Sequence, residues 1–294
     1  MPGSQPCSRS AHSCLQVVLG FLISLAATPV SGTGFPKNCN LPYNGEGKKQ
    51  DIDSDCPPQG KVEDALSPEQ LKRHEDQNRA KNDLCRTGSV TSVTFQTFQE
   101  LQAAVDALGI DYGSRENLPD RSQLQNLQTA DGTFSEGDLV VLEGYVAFAK
   151  HGSAESCNCG ETHVKETDIH VHLTENQNDE LCTSVVVEMI PHYRPKEWWW
   201  KNFFDMTNVH VRVKGQLFFD GSHRPCSNGK AGKRDPARMS VWEIHPVYTF
   251  EVCGDDDCDR PSSWISVKKY VDDFLSGRQL KDEDRSLLRA EKGR

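Results

Sequence analysis

The sequence lacks the local signatures of the common hydrolases and nucleotide-binding enzymes. It contains no Gly-x-Ser-x-Gly segment, no His-Glu-x-x-His segment and no phosphate-binding glycine loop. Positive charge is also scarce, with 33 lysines and arginines against 43 aspartates and glutamates and a formal net charge of −10. Because affinity for duplex nucleic acid comes largely from phosphates that basic side chains neutralise, we do not expect a duplex as partner.

Long apolar runs are missing as well, except near the N-terminus. The stretch from Cys14 to about Ala27 is apolar, it follows a segment whose only charge is Arg9, and small residues precede Thr33. This pattern predicts a secretory signal peptide over residues 1–32, since the run is short for a bilayer span. The sequence therefore predicts an exported protein, periplasmic or extracellular, with no membrane span after signal cleavage.

Cysteine is abundant, with eleven residues in the chain. Removal of the predicted signal peptide, which contains Cys7 and Cys14, leaves nine, and most of these should form disulfides in an oxidising compartment. Nine is an odd number, so one cysteine is free, paired between chains or bound to a metal. The pairing does not follow from the sequence.

A Cys-x-Cys segment, Cys157 to Cys159, is followed four residues later by His163. This arrangement is compatible with zinc, but in an exported protein we expect two separate disulfides instead. Cys182 and Cys226 are the candidate partners.

The pattern of elements divides the rest of the chain into three regions. Residues 33–134 predict an irregular arm and a helical, cysteine-containing N-terminal region. Its first helix begins after a capping box at Ser67 and runs to about Leu84, and its second covers Phe95 to Leu108. Residues 135–253 predict a β-barrel, and residues 254–294 predict a helix over about Ser263–Leu275 and a charged tail.

The barrel region contains three strand patterns, then an aromatic helix, then two more strand patterns. The predicted elements are Leu139–Lys150, Thr167–Leu173, Thr183–Ile190, the helix His192–Met206, a strand through Val209, Val211 and Val213, and Val241–Cys253. This order is the one that a five-stranded barrel with a helix between strands three and four requires. The predicted fold class is mainly β with helical extensions.

In its architecture, the region from about Glu136 to Cys253 resembles the OB-fold superfamily. The segments Asp168-Ile169-His170 and Trp242-Glu243-Ile244-His245-Pro246-Val247 are also similar to those of exported bacterial proteins of undefined function. The resemblance implies a binding platform, and it implies that strands two, three and five lie side by side. It assigns no catalytic residue, because function depends on the site and not on the fold.

Alternation along those three strands places polar side chains on one face. We expect an outward patch formed by Asp168, His170, His172, Glu188, Glu243 and His245. Imidazole and carboxylate groups are ligands of zinc, manganese and iron, so Asp168, His170, His172 and His245 are the candidate metal ligands. In that case Glu188 or Glu243 is the candidate base for a metal-bound water. The alternative is a solvated polar face without metal.

A second candidate site is the loop before the last strand, which is basic in an otherwise acidic protein. Its cations are Arg224, Lys230, Lys233, Arg234 and Arg238. Such a loop suits an anionic or sugar-like ligand that carries phosphate, sulfate or uronate. A solvated loop has the same composition.

Three functions are compatible with these patterns. The favoured one is an exported, disulfide-stabilised OB-like binding protein whose barrel face and basic loop hold a ligand or a protein. The alternatives are a metal-dependent hydrolase of phosphodiesters or esters and a structural protein of the cell envelope. Whether the chain is an enzyme does not follow from the sequence.

Overall fold

The computed structural model describes residues 41–43, 56–58, 60–61, 66–116, 118–233, 235–255 and 257–275. All of them belong to one structural unit, Gly32–Arg294. The predicted signal peptide, most of the predicted arm and the tail beyond residue 275 lie outside the described residues. Within them, no helix is long and apolar enough to cross a membrane.

Two helices precede the barrel, as predicted. Helix α1, Pro68–Lys81, begins at a capping box in which the Ser67 side chain accepts from the Gln70 backbone N–H. A short strand, β1 (Val90–Val93), leads into helix α2, Phe95–Leu108, which ends at Gly109 in the left-handed conformation with φ of 65°. A two-stranded hairpin follows, which the sequence analysis did not predict, with strands β2 (Leu127–Thr129) and β3 (Gly132–Phe134).

The predicted five-stranded barrel is confirmed. Its strands are β4 (Leu139–His151), β5 (Ile169–Thr174), β6 (Val185–Met189), β7 (His210–Phe219) and β8 (Trp242–Cys253). They pair in the order β4-β5-β6-β8-β7, and β7 pairs with β4 to close the barrel. Only β6 and β8 are parallel among these five, which makes a mixed barrel compatible with an OB-like architecture.

Helix α3, between the third and fourth barrel strands, is shorter than predicted. It covers Trp200–Asp205, whereas the sequence predicted His192–Met206. Pro195 lies in the missing part, and a proline disfavours the helical conformation of the residue before it. The region after the barrel also differs, because strand β9 (Trp264–Ser266) comes before a one-turn helix, α4 (Val267–Tyr270).

The barrel strands separate an apolar interior from a polar outer layer. Val171, Val187 and Ile244 belong to the buried apolar core, as alternation along β5, β6 and β8 predicts. Phe203 of α3 packs into this core, with its ring 4.8 Å from that of Phe250. The neighbouring positions on the same strands therefore project their side chains away from the interior.

Three disulfides join described residues: Cys56–Cys159, Cys182–Cys226 and Cys253–Cys258. Cys85 is disulfide-bonded too. The expectation of separate disulfides for Cys157 and Cys159 is wrong, since Cys157 is a free, buried thiol. Cys182 and Cys226 instead bond to each other, because the loop before β8 runs beside the start of β6, where Met239 N–H donates to the Ser184 carbonyl at 2.9 Å.

Candidate metal centre

The polar side chains of β5, β6 and β8 come together as predicted. His170 of β5 is paired in register with Glu188 of β6, and the parallel pairing of Val187 with Ile244 brings His245 of β8 beside them. Asp168 immediately precedes β5 and lies with them, as its distance of 3.9 Å from His245 shows. Three strands therefore supply one cluster of imidazole and carboxylate groups.

The cluster is buried, so the expectation of an outward patch is wrong. Asp168 and His245 are 0 % exposed, Glu188 2 % and His170 7 %. Helix α1 and the loop between β4 and β5 cover the sheet at this point. The Lys81 ammonium of α1 lies 2.7 Å from the Glu155 carboxylate of that loop, and the disulfide from Cys56 to Cys159 holds the loop in place.

The described residues contain three overlapping groups whose ligand atoms lie within 4.8 Å of one another. The groups are Asp168–Glu188–His245, Glu155–His170–Glu188 and Glu155–Cys157–Asp168. Each group shares one carboxylate with each of the others. A fourth group, His210 with Cys253 and Cys258, offers no thiolate because its two cysteines form a disulfide.

The contacts in this cluster are short, but they do not have hydrogen-bond geometry. His245 Nδ1 lies 2.9 Å from Glu188 Oε2, and His170 Nδ1 lies 3.2 Å from Glu188 Oε1. Both ring nitrogens of each histidine, together with Asp168 Oδ2 and Glu188 Oε2, have no hydrogen-bond partner. Buried polar atoms are nearly always satisfied, so a group of six such atoms requires an explanation.

Electrostatics in the cluster favour additional positive charge. Among the described residues, the ion-pair network holds five carboxylates but two ammonium or guanidinium groups: Glu155, Asp168, Glu188, Asp220 and Glu243 against Lys81 and Arg238. Burial lowers the pKa of His245, but the Glu188 and Glu243 carboxylates outweigh it and raise that pKa to about 9. Imidazole charge thus offsets the excess of carboxylates when no other cation is bound.

His172 and Glu243, which the sequence also nominated, have other partners. The ring of His172 is 2 % exposed with Nδ1 3.0 Å from Ser184 Oγ, and it belongs to none of the groups among the described residues. Burial, with a smaller effect from Arg238, lowers the pKa of His172 to about 3. Glu243 contacts the Arg238 guanidinium and lies 3.6 Å from His245 Nδ1. It belongs to none of the candidate groups among the described residues, whereas Glu188, the other candidate base, belongs to two of them.

The basic loop is divided by the fold. Arg238 is 0 % exposed and contacts Glu243, with Asp220 Oδ2 at 3.0 Å, so it does not lie with the exposed side chains of Arg224, Lys230 and Lys233. Arg234 lies outside the described residues. An anion site formed by the three exposed cations stays a prediction.

A cavity of about 410 Å³ lies between the start of α2 and the connection from β5 to β6. Glu175, Asp179 and Glu180 line it, with Met239 at its edge. Three carboxylates repel an anion, so this cavity is a poor place for the anionic ligand that the loop composition predicted.

Glu155 and Lys81 were not among the candidates from the sequence, and Cys157 was considered as a zinc ligand but assigned to a disulfide. Glu155 and Cys157 lie in a loop without strand or helix periodicity, and Lys81 lies at the end of a polar helix. The sequence feature that could have indicated Glu155 and Cys157 was the Cys-x-Cys segment with a carboxylate two residues before it. Nothing local indicates that this loop and α1 meet over the barrel.

A pH dependence is expected from His223, which contacts the buried Asp220 carboxylate at the edge of the Arg238 network. That carboxylate raises the pKa of His223 above its ordinary value, while burial and Arg238 oppose the shift and Glu243 adds to it. The stabilisation is therefore complete below the unfolded-state pKa of about 6.5, and it is lost as pH rises through the higher folded-state value. We expect the free energy of unfolding of wild-type protein to fall over that window relative to His223→Gln.

Urea unfolding at a series of pH values measures this difference. His163→Gln, an exposed substitution in a different loop, is the control and should follow the wild type. Identical pH profiles for wild type and His223→Gln would contradict the prediction.

The cluster has the donor atoms of a metal centre, and its interpretation depends on the chemistry of those atoms. Nitrogen, oxygen and sulfur donors from three strands, a loop and a strand end form overlapping groups. In comparisons with protein-family models, with curated proteins and with solved structures, nothing matches this chain.

Proposed function

We propose that this protein is an exported, disulfide-stabilised, OB-like binding protein whose ligand at the barrel face is a divalent metal ion. Asp168, Glu188 and His245 hold the ion. The observation that supports this proposal is the set of buried nitrogen and oxygen atoms that approach one another without hydrogen bonds. Ligand atoms aimed at a common cation have this property, because their lone pairs converge on the ion.

Zinc is the first candidate for the ion. Zinc accepts imidazole nitrogen and carboxylate oxygen together, whereas magnesium and calcium prefer all-oxygen sites. Manganese and iron accept the same donors and are the next candidates. A divalent ion also supplies two positive charges where carboxylates outnumber lysine and arginine, so His245 can bind as a neutral imidazole.

Burial favours metal binding over hydrolysis. A catalytic zinc keeps a coordination position open for water and substrate. Asp168 and His245 are 0 % exposed, and Glu188, the candidate base, is itself a member of the ligand group. The hydrolase alternative would need a route by which substrate reaches the ion, and the burial of these side chains closes that route.

Export is supported by the disulfides. Cys56–Cys159 and Cys182–Cys226 connect segments 103 and 44 residues apart, and Cys253–Cys258 closes a short turn. Such bonds persist in oxidising compartments. The predicted signal peptide is the expected route to that compartment.

Metal analysis of the untagged protein, purified from an oxidising compartment without chelator, tests the proposal. We expect about one zinc per chain by mass spectrometry, and near-complete loss in His245→Ala and in the isosteric Glu188→Gln. His163→Ala, an exposed histidine, is the matched control and should keep the metal. A folded wild-type protein that neither contains nor takes up zinc, manganese or iron would overturn the proposal.

A further inference from the structure

The described part of the chain contains one free thiol, that of Cys157, which is 1 % exposed. Every other described cysteine is disulfide-bonded, including Cys159 two residues further on. A free cysteine in a core usually behaves as a small apolar residue. The neighbours of this one are polar, since its sulfur lies 3.6 Å from Glu155 Oε2.

The position of Cys157 relative to Asp168 connects it to the proposed metal site. Cys157, Glu155 and Asp168 form a group whose ligand atoms lie within 4.8 Å of one another, and Asp168 belongs equally to the group with Glu188 and His245. Asp168 is therefore shared by the group that contains the thiol and the group proposed to hold the ion.

Asp168 is itself independent evidence of a ligand. Its Oδ1 accepts a hydrogen bond from Asn158 Nδ2 at 3.0 Å, whereas Oδ2 has no hydrogen-bond partner although the residue is 0 % exposed. Asn158 follows Cys157 in the same turn, so the loop that carries the thiol also orients this carboxylate. A buried carboxylate oxygen without a partner is destabilising unless a cation takes that place.

We infer that Cys157 is a ligand of the metal and completes a donor set of Cys157, Asp168, Glu188 and His245. The inference rests on the proposed function. On binding, the S–H bond breaks, its proton leaves to solvent, and a sulfur lone pair forms the bond to the ion. Glu155 stays outside the set because the Lys81 ammonium already pairs with it at 2.7 Å.

A thiolate changes which ions the site accepts. Thiolates bind zinc and softer ions well, whereas magnesium, calcium and manganese prefer oxygen donors. The ions that the site is expected to bind are thus narrowed from divalent ions in general to zinc and ions of similar softness. Manganese, which carboxylates and imidazole alone would accommodate, becomes a poor candidate for the bound ion.

Cobalt(II) replacing zinc in the whole mature protein tests the inference, since a cobalt–thiolate bond produces a sulfur-to-metal charge-transfer band in the near ultraviolet. We expect this band in the wild type and in His163→Ala. Cys157→Ser should lose the band and still bind cobalt, with an affinity lower on the order of a hundredfold. Mass spectrometry after alkylation in denaturant should find Cys157 alkylated, because its thiol is not part of a disulfide.

Zinc X-ray absorption of the wild type provides a measurement that needs no variant. A sulfur shell at about 2.3 Å, beyond the nitrogen and oxygen shell at about 2.0–2.1 Å, is expected. Stoichiometric cobalt or zinc without the charge-transfer band or the sulfur shell overturns the role of Cys157 and leaves the metal site standing. Protein that binds neither ion overturns the proposed function as well.

Discussion

Chelation of the bound metal is expected to lower the free energy of unfolding by about 3–4 kcal/mol relative to protein with zinc at a few hundred times its dissociation constant. The proposed ion would bind the folded state alone, because Asp168, Glu188 and His245 come from different strands or strand ends and the site does not exist in the unfolded chain. Urea unfolding with chelator, and again after zinc is restored in excess, measures the difference.

The dependence on metal should disappear in Glu188→Gln, which keeps the shape of the side chain and removes its charge. His163→Ala should retain the full dependence. Equal unfolding free energies of the wild type with chelator and with zinc would contradict the prediction, provided that the slope with urea is also unchanged.

Arg238→Met is expected to lower the free energy of unfolding by about 3–5 kcal/mol. The guanidinium is 0 % exposed, contacts Glu243 and lies 3.0 Å from Asp220 Oδ2. Its removal leaves the buried Glu243 carboxylate without its main cation and leaves Asp220 with His223 alone of its two ion-pair partners. A buried charge without its partner is far more costly than the loss of one ion pair from the surface. Equilibrium urea unfolding at neutral pH measures this effect.

Arg79→Ala is the matched control. Its guanidinium pairs with Glu75 one turn away on α1 with 63 % of the side chain exposed, so we expect a change below about 0.5 kcal/mol. Arg238→Met combined with Glu243→Leu should recover part of the loss, because the second change removes one uncompensated charge. A loss below about 1 kcal/mol in Arg238→Met alone would show that the network is not a stabilising core feature.

The order and type of the barrel elements were predictable because each depends on local pattern. Alternation in β5, β6 and β8 predicted both the strands and the side on which His170, Glu188 and His245 lie. The helix between β6 and β7 was predicted too long, because the prediction followed the aromatic spacing and neglected Pro195. The hairpin of β2 and β3 was missed, since three-residue strands carry little periodicity.

The environment of the polar face was not predictable. Whether His170 faces water or protein depends on where α1 and the loop with Glu155 pack, and both are polar segments without a pattern that specifies a partner. For the same reason Arg238 was grouped with the cations of its loop, although it turns inward to Glu243. Composition cannot distinguish a buried arginine from a solvated one.

The sequence by itself determined the strand order, the shared face of the histidines and carboxylates, and an odd number of cysteines. The tertiary structure alone decided that this face is covered, that Cys157 is the thiol left free, and that Lys81 pairs with Glu155. The physical reason is distance along the chain. Strand periodicity acts between neighbouring residues, whereas the contact between Lys81 and Glu155 joins segments 74 residues apart, and it exists only once the whole chain has folded.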